Sequence, residues 1–554
     1  MAKLANIRCE LTLALLGFPA ASTDYRDLMY ITDSQESRAL DRAAMKFGLI
    51  GLVLMENASR SIFRIALDFW PDLAADSSRP VVVLAGSGQN GGDGLVLARL
   101  FEAKGHAVKV YQVGPEPVGD AAINLALHKS LGLPLATIRG EEDPAPEIDP
   151  KALLIDALLG TGLARPVEGP ILKALAQAQG HPGPVLAVDL PSGLSADDGL
   201  ALGPVVKADL TATVGTYKRG LFLNDGPSLA GKAKVADLGL TPRMFAKAEP
   251  KGLYLDEALA RSFMPARPGA GHKGSFGHAV VCGGGAGKTG ALALAALGAL
   301  RSGCGLVTAA YPAQGGLIFT QDLISAMTLA LPEEAPGQFA AEAADPLKEF
   351  LTTRNKPLGL GPGLGLGPGA RALVKRLAAE TPQALVLDAD ALTALAGKLD
   401  ILATAAGPRI LTPHPGEAGT LLGASPKEIQ RDRFRSLLAL GQVSQATVLL
   451  KGQHTLILDP RSGRYLVNST GGPAQAVGGS GDVLTGLLTG LLAQGLSPLA
   501  AAGLGAYAHG RAGDLAAQRL GSRGILPSET AAFLPEAFAE LARPGPPKPL
   551  AFSL

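Results

Sequence analysis

The chain has 554 residues, of which 47% are hydrophobic, and its 50 Lys and Arg residues nearly balance its 49 Asp and Glu residues. This length and composition predict a well-packed α/β protein with two large domains or three smaller ones, and exclude a disordered chain. The net charge of +1 gives no reason to expect nucleic acid or an anionic membrane as a partner.

The N-terminal segment 1–27 weakly resembles a secretion signal, because basic residues precede the apolar stretch LTLALLGFPAAS. Cys9 and Glu10 interrupt that pattern at its start, so we expect a disordered extension instead. Cys9, Cys282 and Cys304 lack metal-ligand spacing, which favours a reducing, cytoplasmic compartment. No stretch approaches 18 uninterrupted apolar residues, so the sequence predicts no membrane span.

The first half of the chain alternates short aliphatic segments with segments of helical period. Segment 95–105, for example, has apolar residues at helical spacing. Strands alternating with helices predict a largely parallel sheet that carries helices on both faces. The predicted strands of this half are 81–86, 107–113, 152–160, 184–190 and 209–215.

The first predicted strand runs into a glycine-rich loop, GSGQNGGDG (86–94), which is followed by a predicted helix. Three of its glycines have the G-x-G-x-x-G spacing of a dinucleotide-binding loop. The next predicted strand lacks the acidic residue that nicotinamide dehydrogenases usually carry at its end, which disfavours a dehydrogenase. The side chains of Asn90 and Asp93 around the glycines suit a nucleotide or a cation.

Two further predicted strands of this half end in an aspartate, Asp156 before a Gly-Thr-Gly turn and Asp189 before Pro-Ser-Gly. Open α/β sheets bind ligands at these strand ends, although either aspartate could simply cap a turn. Together, Asn90, Asp156, Asp189 and Ser192 predict a convergent polar pocket. Such hard oxygen ligands suit potassium or magnesium better than zinc.

Prolines punctuate the weakly patterned segment 240–268, where we place the join between the two halves. The second half repeats the alternation of strands and helices, and 455–468 has the pattern of a hairpin. It therefore predicts a second α/β domain. Its predicted strands are 278–284, 305–311, 357–363, 384–390, 409–415 and 447–452.

A second glycine-rich loop, GGSGDVLTG (478–486), precedes an apolar helical pattern. Backbone N–H groups at a helix start, together with the helix dipole, favour phosphate oxygens. Asp482 lies directly after the glycines, where a carboxylate can act as general base toward a hydroxyl. The loop therefore predicts phosphoryl transfer, with a glycine turn before a core helix as the alternative.

Two other motifs are discounted. GGGAGKTG (283–290) differs from a P-loop by one residue in spacing, so Lys288 and Thr289 are predicted to start a helix near the substrate. His414 and Glu417 have no Cys or His neighbour that would complete a zinc site, so His414 is predicted to hydrogen-bond a substrate.

These motifs together resemble the family of bifunctional NAD(P)H-hydrate repair enzymes. GSGQNGGDG, IDALLGTGLARP and VDLPSGLSADDG resemble its epimerase half, and 40–62 resembles its N-terminal helices. HKGSFGHAVVCGGG, GLGPGLG, VLDADAL, LTPHPGEA, LLKGQHT and GGSGDVLTG resemble its ADP-dependent dehydratase half, and the resemblance covers about 28–535. It implies a Rossmann-like three-layer sandwich as epimerase domain and a ribokinase-like α/β dehydratase domain. The domain bounds that we expect are 1–27 (extension), 28–242 (epimerase), 243–268 (linker and domain entry), 269–540 (dehydratase) and 541–554 (loose tail).

The resemblance implies a two-step repair of the hydrated cofactors NADHX and NADPHX. The first domain would interconvert their R and S forms, as an isomerase. The second would dehydrate the S form at the expense of ADP, giving AMP and phosphate, as a lyase. A potassium ion in the first domain, magnesium with the nucleotide, and a cytoplasmic homo-oligomer are further expectations.

Site residues follow from matching this sequence to the family's motifs. In the epimerase half, potassium ligands correspond to Asn90, Asp156 and Ser192, and Asp189 is the predicted acid/base. Asp482 is the predicted base of the dehydratase. The epimerase substrate contacts are Gln89, Asn90, Gly91, Gly92, Asp93, Gly160, Thr161, Gly162, Leu163, Ala164, Arg165, Pro166 and Asp189. The dehydratase substrate contacts are Ala291, Gly363, His414 and Asp482, and the nucleotide contacts are Lys451, Gly452, Gln453, His454, Thr455 and Gly481.

Two other functions stay open at this point. A ribokinase-like kinase of a small molecule such as hydroxymethylpyrimidine would share the glycine-rich loop before Asp482. A non-catalytic first domain could serve as a nucleotide-binding scaffold, although Asp156 and Asp189 argue against it. The HKG segment, the TPHPGEA motif and the fused first domain favour repair.

Overall fold

The computed structural model describes residues 28–314 and 324–543. The predicted extension 1–27, with Cys9, lies outside the described residues, as do residues 544–554 of the predicted tail. The chain divides into two compact units between Gly252 and Leu253, inside the segment 243–268 that we expected to join the domains. Within the described ranges, no helix combines the length and apolarity needed to cross a membrane.

In the N-terminal unit, seven parallel strands form one sheet in the order β4-β3-β2-β5-β6-β7-β9. A separate short parallel pair joins β1 and β8. The strands are β1 (Tyr30–Thr32), β2 (Val81–Ala85), β3 (Val108–Val113), β4 (Leu135–Ile138), β5 (Leu153–Ala157), β6 (Val185–Val188), β7 (Leu210–Val214), β8 (Tyr217–Lys218) and β9 (Lys232–Ala236).

Helices cover both faces of this sheet. Val83 and Leu84 are neighbours on β2, both are completely buried, and they pack into different hydrophobic clusters. Burial on both faces explains why the sequences of these strands are continuously apolar and do not alternate between apolar and polar residues. The helices are Ser34–Lys46, Gly51–Phe69, Pro71–Ala75, Gln89–Ala103, Asp120–Ser130, Gly169–Ala178, Gly226–Leu229 and Pro242–Ala248.

The C-terminal unit has a mixed sheet, in which β13-β12-β11-β16-β17-β18-β19 are parallel and β19-β20-β21 antiparallel. The predicted hairpin is therefore confirmed, and β14 pairs with β15 separately. The strands are β10 (Gly252–Leu255), β11 (His278–Cys282), β12 (Leu306–Pro312), β13 (Met327–Leu331), β14 (Glu333–Ala335), β15 (Gln338–Phe339), β16 (Leu358–Leu360), β17 (Leu385–Leu387), β18 (Arg409–Leu411), β19 (Thr447–Leu450), β20 (Leu456–Asp459) and β21 (Arg464–Asn468).

Two helices of this unit pack with their backbones in close contact. A Cβ at Gly486 would lie 1.7 Å from the carbonyl oxygen of Ala295, and one at Gly298 would lie 2.1 Å from that of Val483. Glycine at these positions allows the helix that carries Asp482 to pack closely against helix Thr289–Arg301. The helices of the unit are Glu257–Ser262, Thr289–Arg301, Ala344–Thr352, Pro368–Glu380, Asp390–Ala394, Pro415–Leu422, Pro426–Arg431, Arg433–Ser444, Ser480–Ala493, Pro498–Leu520 and Pro527–Ala542. The predicted α/β class is confirmed for both units.

Two candidate active sites

The first candidate site lies where the strand order of the N-terminal sheet reverses. The chain moves outward from β2 to β3 and β4 and then returns to β5 on the other side of β2. The loops after β2 and β5 therefore diverge and leave a crevice at their carboxyl ends, where α/β sheets bind ligands. Helix Gln89–Ala103 begins there after the N-cap Gly88. A Cβ at Gly91 would lie 1.9 Å from the Gly86 carbonyl oxygen, so only glycine allows this turn.

Three predicted potassium ligands, Asn90, Asp156 and Ser192, meet at this crevice. The Ser192 hydroxyl donates to Asp156 Oδ1 at 2.5 Å, and the Ser192 amide donates to Asp156 Oδ2 at 2.7 Å. Asn90 Nδ2 donates to the carbonyl oxygen of Leu159 at 3.0 Å, and the Ser192 hydroxyl lies 3.2 Å from the same oxygen. The cluster thus gathers carboxylate, hydroxyl, amide and carbonyl oxygens.

Asp156 is completely buried, and burial raises the pKa of its carboxyl, although hydrogen bonds from Ser192 and Leu158 oppose the rise. A bound cation would supply the positive charge that stabilises the ionised carboxylate. Potassium and other hard cations prefer oxygen ligands of these kinds. The donor set therefore fits the implied ion.

Asp189, the predicted acid/base, is held by a buried lysine that the sequence reading missed. Lys218 Nζ lies 2.6 Å from Asp189 Oδ1, and its side chain is only 1% exposed. The same nitrogen donates to the carbonyl oxygens of Val214 and Thr216 at 2.6 and 3.2 Å. Asp189 itself has φ = 67°, a conformation that costs energy for a residue other than glycine and is frequent at active sites. The backbone and Lys218 together fix the direction of this carboxylate.

The predicted substrate contacts Gly160, 161–166 and Asp93 have different surroundings. Gly160 adjoins the carboxylate, because a Cβ there would lie 3.1 Å from Asp189 Oδ2 and 3.4 Å from Asn90 Oδ1. Residues 161–166 form a partly or fully exposed loop. Asp93 instead points into the protein, where it accepts a hydrogen bond from the Ser59 hydroxyl at 3.1 Å, and burial raises its pKa well above the usual value. The side chain of Asp93 is therefore buried, whereas the loop 161–166 is partly or fully exposed.

The second candidate site surrounds the start of helix Ser480–Ala493. Gly479 is its N-cap with φ = 96°, and Asp482 lies in the first turn. The amides of Ser480 and Asp482 donate to the carbonyl oxygens of Val477 and Gly479. Among the described residues, the amides of the loop glycines have no such backbone acceptor, so they can donate to a phosphate.

Asp482 is partly buried among other carboxylates. Burial and the nearby charge of Asp388 raise its pKa to about 7, the positive charge of Lys451 opposes this rise, and Asp390 and Glu417 add to it. A general base works best when its pKa lies near the working pH. The environment therefore suits Asp482 to accept a proton at neutral pH.

Lys451, a predicted nucleotide contact, lies beside this carboxylate. Its Nζ is 2.9 Å from Asp388 Oδ1 and 3.6 Å from Glu417 Oε2. Burial lowers the pKa of Lys451, but the two carboxylates outweigh that effect and raise it. A Cβ at Gly481 would lie 3.2 Å from the same Nζ, so the lysine borders the glycine loop directly. The site thus holds a fixed positive charge next to its base.

Arg433 holds the KGQHT loop, which contains the predicted nucleotide contacts 451–455, through hydrogen bonds to its backbone. This guanidinium, which is 4% exposed, donates to the carbonyl oxygens of Leu450, Gln453 and His454. The Thr455 hydroxyl donates to the Gly452 carbonyl oxygen at 3.1 Å within the loop. Arg433 therefore holds the backbone that would meet the nucleotide.

Replacing Arg433 with Met should loosen this loop and raise the KM for nucleotide by about tenfold, because several charge-assisted hydrogen bonds are lost. We expect a smaller change in kcat, since Asp482 does not contact Arg433. Arg435→Met, on the same helix but exposed, is the matched control. Steady-state kinetics at varied nucleotide concentration measure both values. Equal KM for the two variants would contradict the role of Arg433.

Two of the predicted substrate contacts of this unit, Ala291 and Gly363, come together. Gly363 has φ = 59°, and a Cβ there would lie 3.2 Å from Ala291 Cβ. Beside it is a cavity of about 200 Å³ that Lys288 and residues of the β14–β15 pair also line. Lys288 is the N-cap of helix Thr289–Arg301, so its predicted position at a helix start is confirmed.

His414 caps helix Pro415–Leu422. Its Nδ1 accepts hydrogen bonds from the amides of Gly416 and Glu417, which leaves Nε2 as the N–H donor of the neutral ring. The ring is exposed, and Nε2 lies 3.6 Å from Glu417 Oε1. Among the described residues, no group of three His, Cys, Asp or Glu side chains could hold a metal. The predicted hydrogen bond from His414 to a substrate stays a prediction.

A larger cavity of about 450 Å³ is lined by none of the predicted site residues. Its charged walls neutralise each other, because Arg511 forms a two-pronged ion pair with Glu540 at 2.7 and 2.9 Å. The sites are thus better identified by their chemistry than by cavity size.

Three functional candidates were missed by the sequence reading, namely Lys218, Asp388 and Arg433. Asp388 directly follows the strand Leu385–Leu387, and Asp156 lies near the end of Leu153–Ala157, so the same strand-end argument could have found Asp388. Lys218 and Arg433 had no such signal, because each reaches its site only through the tertiary fold.

Comparison with known proteins agrees with this picture. A family model described as "YjeF-related protein N-terminus" matches residues 51–220, and one described as "NAD(P)H-hydrate dehydratase" matches residues 279–536. A Bacillus subtilis structure described as an ADP/ATP-dependent NAD(P)H-hydrate dehydratase, co-crystallised with ATP/Mg²⁺, is 28% identical, covers 52% of this chain and 98% of its own, and has a TM-score of 0.45.

Full-length relatives match both units. The bifunctional NAD(P)H-hydrate repair enzyme of Moorella thermoacetica is 40% identical over 519 residues, 92% of this chain and 96% of that protein. The enzyme of the same name from Escherichia coli K12 is 35% identical over 491 residues, 88% of this chain and 89% of that protein. This chain therefore belongs to the family of bifunctional NAD(P)H-hydrate repair enzymes.

Proposed function

We propose that this chain restores hydrated NADH and NADPH in two steps, epimerising the R and S forms in its N-terminal unit and dehydrating the S form in its C-terminal unit. The observation that carries the proposal is the setting of Asp482, a carboxyl with a pKa of about 7 at a glycine-rich helix start, next to Lys451. That is the arrangement needed to deprotonate a hydroxyl beside a phosphate.

In the epimerase unit, Asp189 exchanges protons with the hydroxyl on the hydrated ring carbon. A proton from the carboxyl lets this hydroxyl leave as water, while the ring nitrogen supplies the electron pair that forms the C=N bond. Water then adds to the opposite face, and the proton that it releases returns to the carboxylate through solvent. Lys218 keeps Asp189 pointed at the crevice throughout. The loop 160–166 and the amides after Gly88 bind the dinucleotide.

Potassium would be held by Asn90, Asp156 and Ser192. When bound, the ion supplies a fixed positive charge beside the dinucleotide phosphates. The chain's own part is to present the oxygen ligands and to keep the loops after β5 and β6 together through the Ser192–Asp156 hydrogen bonds.

Potassium should therefore stabilise the protein. We expect the Tm to rise by about 2–4 °C in KCl relative to choline chloride at equal ionic strength, since ligand binding to the folded state raises stability. Ser192→Ala removes one oxygen ligand and should abolish most of this difference, whereas Ser195→Ala, at a nearby position outside the oxygen cluster, should retain it. Thermal unfolding in the two salts is the measurement. An unchanged difference in Ser192→Ala would contradict the assignment.

In the dehydratase unit, Asp482 takes the proton of the substrate hydroxyl as its oxygen attacks the terminal phosphoryl group of the nucleotide. With ADP, the bond to the AMP oxygen breaks and AMP leaves. Lys451 and the glycine amides stabilise the negative charge of the transferred group. The phosphate then departs from the ring carbon, the ring nitrogen supplies the electron pair, and loss of a proton from the adjacent carbon restores NAD(P)H.

Magnesium would be held mainly by the phosphates of the nucleotide and would offset their negative charge, because this ion usually binds proteins through phosphates, water and one or two carboxylates. His414 donates its Nε2–H to the substrate, and Gly363 and Ala291 form a wall against which the substrate packs.

We further propose a cytoplasmic homo-oligomer. The free thiols of Cys282 and Cys304 fit a reducing compartment, and light scattering of the purified protein tests the assembly.

One assay tests the proposed function. Purified protein is incubated with hydrated NADH and with ADP or ATP separately, and the absorbance of reduced nicotinamide is followed. Recovery with an equal mixture of the two epimers should go to completion, because epimerisation feeds the S form. Phosphorylation of hydroxymethylpyrimidine without any recovery would instead favour a ribokinase-like kinase. Recovery that stops at half would show that the first domain is only a scaffold.

A further inference from the structure

A carboxylate outside the predicted contacts lies at the centre of the dehydratase site. Asp388 follows β17, and it is 1% exposed. Its Oδ1 accepts hydrogen bonds from Lys451 Nζ at 2.9 Å and from the Thr412 hydroxyl at 2.8 Å. Its Oδ2 accepts one from the Thr485 hydroxyl at 2.7 Å. Both carboxylate oxygens are therefore engaged.

The three donors belong to different parts of the site. Lys451 follows β19 and begins the KGQHT loop, whereas Thr412 follows β18. Thr485 lies in helix Ser480–Ala493, one turn after Asp482, and its hydroxyl is also 3.1 Å from the Gly481 carbonyl oxygen. Asp388 thus connects the nucleotide loop with the first turn of the helix that carries the base.

The backbone around Asp388 is closely constrained. The next residue, Ala389, has φ = 51°, which is strained for a residue with a Cβ. The Asp388 carbonyl oxygen lies where a Cβ at Gly361 would be only 1.9 Å away, and the Asp388 amide donates to Leu360. Such strain persists only where surrounding contacts impose it, and it is frequent at functional sites.

We propose that Asp388 is the positioning residue of the dehydratase: it holds Lys451 against the glycine loop and fixes the first turn of the helix that presents Asp482. The proposal rests on the proposed function of this unit. Lys451 Nζ borders Gly481 while it is paired with Asp388, so it can donate to a nucleotide phosphate at the glycine loop without leaving that carboxylate.

Asp388 also sets the electrostatic environment of the base. The groups that act on Asp482 are Asp388, Lys451, Asp390 and Glu417, and Lys288 Nζ pairs with Asp390 at 2.9 Å. Asp388 is the charged group with the largest effect, and it raises the pKa of Asp482. Removing its negative charge, and leaving Lys451 with Glu417 at 3.6 Å as its remaining carboxylate partner, should lower that pKa.

The test compares Asp388→Asn with Asp388→Glu. In the unmodified protein, kcat/KM should fall at acid pH with a midpoint near 7. We expect Asp388→Asn to move this midpoint to about pH 6 or lower and to reduce kcat about tenfold. Asp388→Glu keeps the charge, so its midpoint should stay near that of the unmodified protein while kcat falls. Asp345→Asn, an exposed aspartate paired with Arg376, should change neither value.

A second pair of variants does not remove the buried charge. Thr485→Val deletes the hydroxyl that binds Asp388, whereas Thr485→Ser keeps it. We expect Thr485→Val to lower kcat about tenfold at an unchanged midpoint, and Thr485→Ser to stay close to the unmodified protein. Equal turnover of these two variants would overturn the link between Asp388 and the helix.

The outcomes separate this inference from the proposed function. If Asp482→Asn retains turnover, the proposed base is wrong and the inference fails with it. If Asp482 is essential but Asp388→Asn leaves the midpoint and kcat unchanged, the positioning role alone is wrong. A shifted midpoint that Asp388→Glu restores supports the proposal.

Discussion

Replacing Asp482 with Asn should lower the kcat of dehydration by about 10²–10⁴, the range for loss of a general base. The amide cannot accept the proton of the substrate hydroxyl, although it fills the same space. Nucleotide affinity should change little, because Lys451 and the KGQHT loop remain in place. Kinetics with a saturating S form, together with calorimetric titration of ADP, measure the two effects separately.

Stability provides an independent check on this variant. Burial disfavours the ionised form of Asp482 in the folded state, where its pKa is about 7, compared with an ordinary value of 3.8. A carboxyl with a raised folded pKa destabilises the protein as the pH rises from the unfolded to the folded value. Asp482→Asn should therefore have a higher Tm at pH 8 than the unmodified protein. Lower stability together with equal losses of affinity and rate would point to a structural role.

Replacing Asp189 with Asn should reduce epimerisation by about 10²–10⁴ while dehydration of the pure S form continues. The reason is that proton transfer to and from the hydroxyl on the ring carbon needs a titratable group, and Asn has none. Exchange between epimers can be followed by NMR or chromatography without nucleotide, so that the C-terminal unit cannot dehydrate the substrate. Unchanged epimer exchange in this variant would rule out Asp189 as the acid/base.

Replacing Lys218 with Met tests whether this lysine directs the Asp189 carboxylate toward the crevice. The buried ion pair at 2.6 Å is broken, so Asp189 loses the partner that directs it. We expect a large loss of epimerisation together with a lower Tm, because a buried carboxylate is left without its counter-charge. Lys232→Met, at an exposed position on β9, is the control and should leave both properties unchanged.

Local patterns were enough to predict the strands that carry the sites. The segments before Gly86, Asp156, Asp189 and Asp388 are short aliphatic runs, and each forms a buried parallel strand. Strands with both faces buried leave a strong apolar signature. Strands β4 and β9 were not predicted, because at the two edges of the sheet they are less buried and their apolar pattern is weaker.

The sequence by itself determined the two α/β halves, the two glycine-rich loops and the strand-end carboxylates, because backbone geometry and burial impose those patterns on neighbouring residues. Only the tertiary structure decided which charges meet: Lys218 with Asp189, Lys451 with Asp388, and Asp482 among three other carboxylates. Those partners are 29, 63 and up to 94 residues apart in the chain. The pKa of a buried group depends on what surrounds it in space, and sequence spacing carries no information about contacts made across a sheet.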